Sequence, residues 1–369
     1  MNKQATSITR RDFIKASAAA AGMLFLPPSQ RWFLQGEFPD ANQIGRVVVG
    51  VRRERGIVDI KAKPDYDAAT VGTYLEDEVV ICNQEVIGKW PFRNVQRWVE
   101  TPDGFVWAPN IQPVKNSPNQ TMEALPEDRE GIWMEVTVPW VNAELANPPY
   151  RSSWWKLMET KYFPPRFYYS QIVWVDQVET RADGRTYYRV NERFGNPGDI
   201  LWVPGEALRM LTEEDMAPIH PEAEDKQIVV DASMARQTLS CYERDREVYF
   251  CRISTGAVPA ETPLTGYGSD GFNIYQKFNS LQMSGGTNEA GWMIPGIGWA
   301  SFFYPGGIAI HSTFWHNNFG EPTSHGCVNV APDDAQWIYR WANPVVGYQE
   351  GFRDVAGTTV GTKVKVIEY

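Results

Sequence analysis

The chain has 369 residues, and 43% of them are hydrophobic and 22% charged, a composition typical of folded proteins rather than disordered ones. This length indicates two or three domains rather than one core. A formal net charge of −10 argues against nucleic-acid binding, which favours a basic surface. The 15 Trp, 16 Tyr and 17 Phe predict aromatic-rich cores, with some rings available to stack on sugars or peptides.

The N-terminus, residues 1–35, is predicted to be a targeting segment and not part of the fold. Thr9-Arg10-Arg11-Asp12-Phe13-Ile14-Lys15 is a close match to a twin-arginine export signal. The apolar stretch that follows, Ala16 to Leu26, has eleven residues, and a hydrocarbon core needs roughly twenty. We therefore expect export to the periplasm, cell wall or exterior, with membrane attachment only through an uncleaved signal.

From residue 44 onward the sequence indicates short β-strands separated by Gly, Pro and Asp turns. Phe105-Val106-Trp107-Ala108-Pro109 recurs about 95 residues later as Ile200-Leu201-Trp202-Val203-Pro204. Each copy follows a strand and a turn that contains glycine, which is similar to the end of a bacterial SH3-like barrel. We therefore predict two SH3-like modules, at 44–115 and 160–218, joined by a connecting segment at 116–159.

Two local patterns carry further predictions. Trp154-Trp155 is predicted to pack between modules, with a carbohydrate-facing ledge as the alternative. Cys241 and Cys251 flank the charged turn of a predicted β-hairpin, where a cross-strand disulfide and two separate thiols are both compatible with the spacing.

In the C-terminal part, a Gly-rich loop is expected at 285–298, at the approach to a cleft. A helix is expected from Pro332 to Trp341, because proline and acidic residues suit its first turn.

The residues with the clearest chemistry lie between His311 and Asn329, a stretch that holds three of the four histidines and Cys327. A thiol with an ordinary pKa of about 8.5 needs a base to ionise near neutrality. Imidazole is the usual base. Gly326 would let substrate approach the backbone closely and would leave N–H groups to face an oxyanion. Together these groups indicate acyl transfer.

Zinc binding is the alternative use of the same side chains, since three histidines and one cysteine are all possible ligands: His311, His316, His325 and Cys327. Their spacing fits neither a paired-cysteine site nor the His-Glu-x-x-His pattern.

The same stretch resembles a known signature. His311 followed by Ser324-His325-Gly326-Cys327-Val328-Asn329 resembles the motif of the L,D-transpeptidase catalytic domain, the YkuD-like family. Upstream, Ile253-Ser254-Thr255-Gly256 and Glu261-Thr262-Pro263 resemble the end of that family's opening hairpin and its Thr-Pro loop. The resemblance covers residues 226–368 and implies a mainly β chain that ends in a β-sandwich-type catalytic domain.

The resemblance implies an enzyme that forms 3→3 cross-links in peptidoglycan. A tetrapeptide stem would donate an acyl group through a cysteine thioester to an amine, without cofactor or metal, and carbapenem β-lactams would acylate the cysteine. Peptidoglycan stem peptides are the expected partners. The alternatives are a cell-wall-binding protein with an idle catalytic domain and a zinc-dependent hydrolase.

The family's residue roles carry over to matching positions. Cys327 is the expected nucleophile, His311 the base, and the Ser312 carbonyl its orienting group. His325 is expected to support the site, and the amides of Gly326 and Cys327 to form an oxyanion hole. Four further residues are expected to bind substrate or position the loop: Trp315, Ser324, Asn329 and Tyr304. His316 is expected to be a surface histidine.

Overall fold

The computed structural model describes residues 38–39, 41–49, 56–161, 163–266, 268–285 and 292–368. The predicted export signal lies outside these residues. Ala41–Tyr369 form one compact unit. The architecture is mainly β, which confirms the predicted fold class. Its α-helices, within the described residues, are α1 (Ser153–Thr160), α2 (Glu213–Met216) and α3 (Pro332–Trp341), and none of them is long and apolar enough to cross a membrane.

The first group of strands builds two small sheets. Its members are β1 (Ile44–Val47), β2 (Ile57–Lys61), β3 (Thr70–Leu75), β4 (Val79–Ile81), β5 (Gln84–Ile87), β6 (Arg97–Thr101), β7 (Gly104–Trp107) and β8 (Ile111–Val114). The sheets have the orders β4-β1-β8 and β3-β2-β7-β6-β5. Along β2, buried Val58 and Ile60 alternate with exposed neighbours, as a strand with one wet face requires. They pack with Val106 and Ile111 into the core of this group.

The second group forms a six-stranded sheet of order β11-β15-β14-β13-β9-β16, with a separate β10–β12 pair. Its strands are β9 (Ile132–Val136), β10 (Trp140–Asn142), β11 (Glu144–Leu145), β12 (Arg166–Tyr168), β13 (Ile172–Thr180), β14 (Thr186–Val190), β15 (Leu201–Pro204) and β16 (Leu208–Met210). The boundaries differ from those predicted. The supposed connecting segment at 116–159 supplies β9, which pairs with β13 and β16 in the middle of this sheet.

Both copies of the predicted repeat have the same local structure. β7 leads through a 3-10 turn, Ala108–Asn110, into β8, and β15 leads through Gly205–Ala207 into β16. The SH3-like assignment of the two groups stays a prediction. Trp154 and Trp155 are only 5% and 1% exposed, so both pack in the interior and the ledge alternative was wrong for this pair.

The third group forms a ten-stranded sheet. Its strands are β17 (Lys226–Asp231), β18 (Thr238–Glu243), β19 (Arg246–Ser254), β20 (Phe272–Asn273), β21 (Gln276–Gly285), β22 (Trp292–Tyr304), β23 (Ile308–Ser312), β24 (Val328–Val330), β25 (Phe352–Asp354) and β26 (Lys363–Ile367). The order is β20-β26-β17-β18-β19-β24-β23-β22-β21-β25. The pairs β17–β26 and β23–β24 are parallel. Helix α3, predicted with these bounds, packs against β22 and β23.

Two predictions about this sheet needed the structure to decide them. The β18–β19 hairpin pairs Leu239 with Cys251 and Cys241 with Tyr249, and both cysteines are free thiols, as is Cys82. The predicted Gly-rich loop at 285–298 was wrong from residue 292 onward, because that stretch is the first half of β22 and pairs with β21.

The second and third groups are joined by buried hydrogen bonds. The Trp133 indole Nε1 donates to the Tyr348 carbonyl at 2.8 Å, and Gln171 Nε2 donates to the Pro295 carbonyl at 2.6 Å. Trp133 is fully buried, so this contact is part of a continuous interior rather than a surface touch.

Candidate active site

The candidate nucleophile and base lie on neighbouring parallel strands. His311 is in β23 and pairs with Asn329 in β24, while Ile310 pairs with Val328. Cys327 immediately precedes β24, and the N–H of Ala309, two residues before His311 on β23, favours its thiolate. Cys327 therefore lies beside the strand that carries His311.

The His311 imidazole is buried and held through one nitrogen. Its Nδ1 lies 2.9 Å from the Ser312 carbonyl oxygen, and only 2% of the residue is exposed. A carbonyl only accepts, so Nδ1 carries the proton of the neutral ring and Nε2 keeps a free lone pair. Burial lowers the pKa of His311 to about 4, although the bond to Ser312 offsets part of the effect. The ring is therefore a neutral base near pH 7.

The Cys327 thiol is also buried, at 9% exposure, and its Sγ faces the Gly307 carbonyl at 3.7 Å. Burial raises the pKa of the Cys327 thiol to about 11, while the Ala309 N–H favours the thiolate. With the imidazole pKa lowered and the thiol pKa raised, the resting pair is thiol and neutral imidazole, not thiolate and imidazolium.

Gly326 has a backbone φ of +113°, a region that favours glycine. A Cβ there would also lie 3.3 Å from Ile308 Cδ1. The Gly326 N–H donates to Ser324 Oγ at 3.1 Å, and Ser324 Oγ donates to the Cys327 carbonyl at 2.5 Å. The expectation of two amides at the oxyanion position therefore needs correction, because the Gly326 amide is already bound within the loop.

The end of β19 holds this loop in place. The Ser324 N–H donates to the Thr255 carbonyl at 3.0 Å, and the Ala257 N–H donates to the Ser324 carbonyl at 3.0 Å. Thr262, only 3% exposed, donates from Oγ1 to the Gly326 carbonyl at 2.8 Å. Thr262 had no predicted role. Its place in the Thr-Pro step was the signal that could have found it.

His316 was predicted to be a surface histidine, and this was wrong. It is 9% exposed, Nδ1 accepts from the Asn318 N–H at 3.1 Å, and Nε2 lies 2.8 Å from the Asn329 side-chain amide. Burial lowers the pKa of His316 to about 3. Asn329 is 2% exposed and therefore supports β24 from within.

Three predicted site residues remain, namely Trp315, His325 and Tyr304. The Trp315 ring is half-buried, with its centroid 5.9 Å from that of His311. His325 is exposed on the loop two residues before Cys327. Tyr304 is half-buried, and its described ring contact is an edge-on one with Phe272 at 4.9 Å.

Strand β1 also reaches this site through Arg46, a residue the sequence did not single out. Its guanidinium donates to the Phe314 carbonyl, to Asp77 Oδ1 at 2.7 Å and to Gln112 Oε1 at 2.7 Å. Arg166 donates to Asp77 Oδ2 at 2.7 Å. Burial alone would raise the pKa of Asp77, but the two guanidiniums hold it below its ordinary value. The network fixes the backbone just before the Trp315 ring.

Trp315 also lines a small recess, whose walls include Trp154, Tyr168 and Lys161. Within the part of the chain that the structure describes, no three histidine, cysteine or carboxylate residues gather as a metal-ligand set.

Comparison with known families agrees with this geometry. Residues 225–366 match the family model of the YkuD L,D-transpeptidase catalytic domain, and residues 7–27 match that of the twin-arginine translocation signal. The third strand group is thus an L,D-transpeptidase catalytic domain, and the chain carries a signal for twin-arginine export. No match to a curated protein was found.

Solved structures with local similarity are L,D-transpeptidases. One from Enterococcus faecium is 22% identical and is matched over 40% of this chain and 52% of its own, with a TM-score of 0.30. One from Mycobacterium smegmatis is 16% identical over 50% and 90%, with a TM-score of 0.30. L,D-transpeptidase 3 from Mycobacterium tuberculosis, which carries a faropenem-derived adduct, is 15% identical over 49% and 90%, with a TM-score of 0.29. This chain spans about half the length of the Enterococcus protein.

Proposed function

We propose that this protein is an exported peptidoglycan L,D-transpeptidase that forms 3→3 cross-links through a thioester on Cys327. The observation that carries the proposal is the state of His311. Its Nδ1 is fixed on the Ser312 carbonyl at 2.9 Å, so Nε2 is free to accept a proton, and Cys327 immediately precedes the strand that pairs with that of His311. A base oriented by a third group beside a nucleophile is the arrangement that acyl transfer requires.

In the first step, Cys327 Sγ attacks the carbonyl between the third residue of a tetrapeptide stem and its terminal D-Ala. The thiol proton passes to His311 Nε2. Because both groups are neutral at rest, the proton moves as the C–S bond forms, which is general base catalysis rather than attack by a preformed thiolate. The C–N bond then breaks, His311 returns the proton to the departing D-Ala amine, and a thioester remains.

The second step transfers the acyl group from Cys327 to an acceptor amine. An amine from the third residue of a neighbouring stem attacks the thioester and gives a proton to His311. The C–S bond breaks, and Cys327 regains its proton from the imidazole. One amide bond is broken and one is formed, with D-Ala released. Water in place of the amine would give a shortened stem instead.

The developing oxyanion needs donors that the loop has not already used. The Gly326 N–H is bound to Ser324 Oγ, so we assign the oxyanion contact to the Cys327 N–H. Ser324 then acts by fixing the loop. Trp315 provides an apolar wall beside His311, and the exposed His325 is available to contact an incoming stem.

The test is intact mass after incubation with a carbapenem, which a nucleophilic thiol opens to a covalent adduct. Wild type should gain one adduct and Cys327→Ala none. Cys82→Ala is the matched control, because it removes a half-buried thiol elsewhere in the chain and should keep the adduct. A folded wild type that gains no adduct would refute the proposal and favour a wall-binding protein with an idle domain.

The cross-link itself needs a second assay, with purified disaccharide tetrapeptides as both donor and acceptor. The expected products are D-Ala and a dimer joined between two third residues. Release of D-Ala without dimer would indicate hydrolysis only. If activity were lost with a chelator and did not depend on Cys327, the zinc-dependent hydrolase would be the better reading.

A further inference from the structure

Three aromatic side chains cluster on the surface of the first strand group. The Tyr66 ring lies 4.9 Å from Trp90 and 6.2 Å from Phe92, measured between centroids. Phe92 is 81% exposed and Tyr66 39%, while Trp90 is half-buried. Exposed rings grouped in this way mark interaction sites more often than single exposed apolar residues do. We call Tyr66, Trp90 and Phe92 the aromatic ledge.

The ledge is held rigidly from below. The Trp90 ring stacks on the buried Trp98 at 5.7 Å and contacts Trp107 at 4.4 Å. The Gln96 side chain accepts from the Trp90 N–H at 2.6 Å and donates to the Trp90 carbonyl at 2.8 Å. A ligand would therefore meet rings that are already in place, and little conformational entropy would be lost on binding.

The segment that carries the ledge is fastened to the catalytic loop. Arg93 Nη1 pairs with Glu321 Oε2 at 2.7 Å, and the Asn94 N–H donates to Glu321 Oε1 at 2.8 Å. Glu321 is 5% exposed, and its carbonyl accepts from Ser254 Oγ at 2.6 Å. Glu321 belongs to the same loop as Cys327. A ligand on the ledge would therefore be held at a fixed position relative to the thiol.

The size of the ledge selects the kind of ligand. An aromatic side chain offers about 150–250 Å² in all, so the exposed parts of Phe92, Tyr66 and Trp90 sum to roughly 300 Å². A stable protein interface needs about 800 Å² per partner. The net charge of −10 also disfavours an anionic membrane surface. An extended chain of sugar rings fits both the small exposed area and the negative charge of the protein.

We propose that the aromatic ledge binds the glycan strand of peptidoglycan, with ring faces stacked on the C–H faces of its β-linked N-acetylated hexosamines. The exposed Lys89–Asp67 ion pair, 3.3 Å apart, borders the ledge and provides hydrogen-bonding groups for hydroxyl and acetamido substituents. The idea rests on the proposed function, because a glycan held here would present its stem peptides to the site that carries Cys327.

The experiment is a pull-down of the folded protein with glycan strands from which an amidase has removed all stem peptides. Wild type should bind them, and the double variant Tyr66→Ala/Phe92→Ala should bind at least tenfold more weakly. The single variant Phe92→Trp, with Tyr66 unchanged, should bind as wild type does. The matched control is Ile87→Ala, which removes a 77% exposed aliphatic side chain from the same strand group and should leave binding unchanged.

Carbapenem acylation of Cys327, measured on the same samples, separates this proposal from the proposed function. Both proteins should acylate at the same rate, since the ledge does not contact the thiol. If the double variant bound peptide-free strands as wild type does, the ledge proposal would be wrong. It would equally be wrong if wild type bound only strands with stem peptides attached. Loss of acylation in wild type would instead overturn the transpeptidase reading and leave the binding result to stand by itself.

Discussion

Glu192 follows strand β14 and is 7% exposed, yet within the described residues no hydrogen bond of ordinary geometry reaches either carboxylate oxygen. Burial raises the pKa of Glu192 from its ordinary value of 4.5 to about 8, and the nearby Gly296 N–H offsets only part of this rise. Between these two pH values the folded protein keeps a proton that the unfolded chain releases. Its stability should therefore fall as pH rises from 4.5 to about 8, and should level off above that.

The size of the loss follows from the same pKa values. One pKa unit corresponds to about 1.4 kcal/mol, so the upper limit is about 5 kcal/mol at pH 8. Relaxation and water entry would reduce it to a few kcal/mol. Glu192→Gln keeps the shape and removes the ionisation. The variant should match wild type near pH 4.5 and be more stable by a few kcal/mol at pH 8.

The assay is thermal unfolding at several pH values between 4.5 and 8.5, for wild type, Glu192→Gln and Glu127→Gln. Glu127 is exposed, so its substitution should not change the pH dependence. The expected result is a Tm that falls with pH in wild type and in the control, and a flatter profile in Glu192→Gln. Parallel profiles for all three proteins would refute the reasoning, because they would mean that Glu192 ionises in the folded state as readily as in the unfolded chain.

Three further results are expected from the site. Iodoacetamide alkylation of Cys327 should be slow at pH 7 and rise about tenfold per pH unit up to pH 10, as a neutral thiol requires; a rate that is flat from pH 5 to 8 would instead reveal an ion pair. Gly326→Ala should cost about 1–3 kcal/mol and slow carbapenem acylation, whereas Gly266→Ala, with open space around its Cβ position, should do neither. Arg46→Met, which leaves a buried aspartate short of one partner, should lower stability by about 3–5 kcal/mol in a urea titration. Arg97→Met breaks a surface pair and should cost less than about 1 kcal/mol, so equal losses would contradict the assignment.

Local patterns in the sequence were enough for several of these features. Helix α3 was predicted from its first-turn proline and acidic residues, which act within one turn and need no distant partner. The stretch from His311 to Asn329 was singled out in the same way, because the candidate base and nucleophile lie close together in the sequence.

The features that were missed depend on partners far away in the chain. Strand β9 is in the middle of a sheet only because β13 and β16 pair with it, and no local pattern fixes that register. His316 is buried, with its two ring nitrogens facing the Asn318 N–H and the Asn329 side-chain amide. From the sequence alone, a polar side chain is predicted to be exposed, because its buried hydrogen-bond partners are not known. The Gly326 amide likewise looked free until Ser324 was found to bind it.

The hydrogen bond from Trp133 to the Tyr348 carbonyl has a consequence for how such chains can be recombined. Trp133 lies before residue 225, where the match to the family model begins, and its indole is fully buried. It donates to the Tyr348 carbonyl, which lies after that boundary. Cutting the gene at that boundary would expose a large apolar ring and leave a buried carbonyl without its donor. Residues 225–366 therefore cannot be moved into another protein by themselves. A chimera that contains them must also contain strand β9, which carries Trp133.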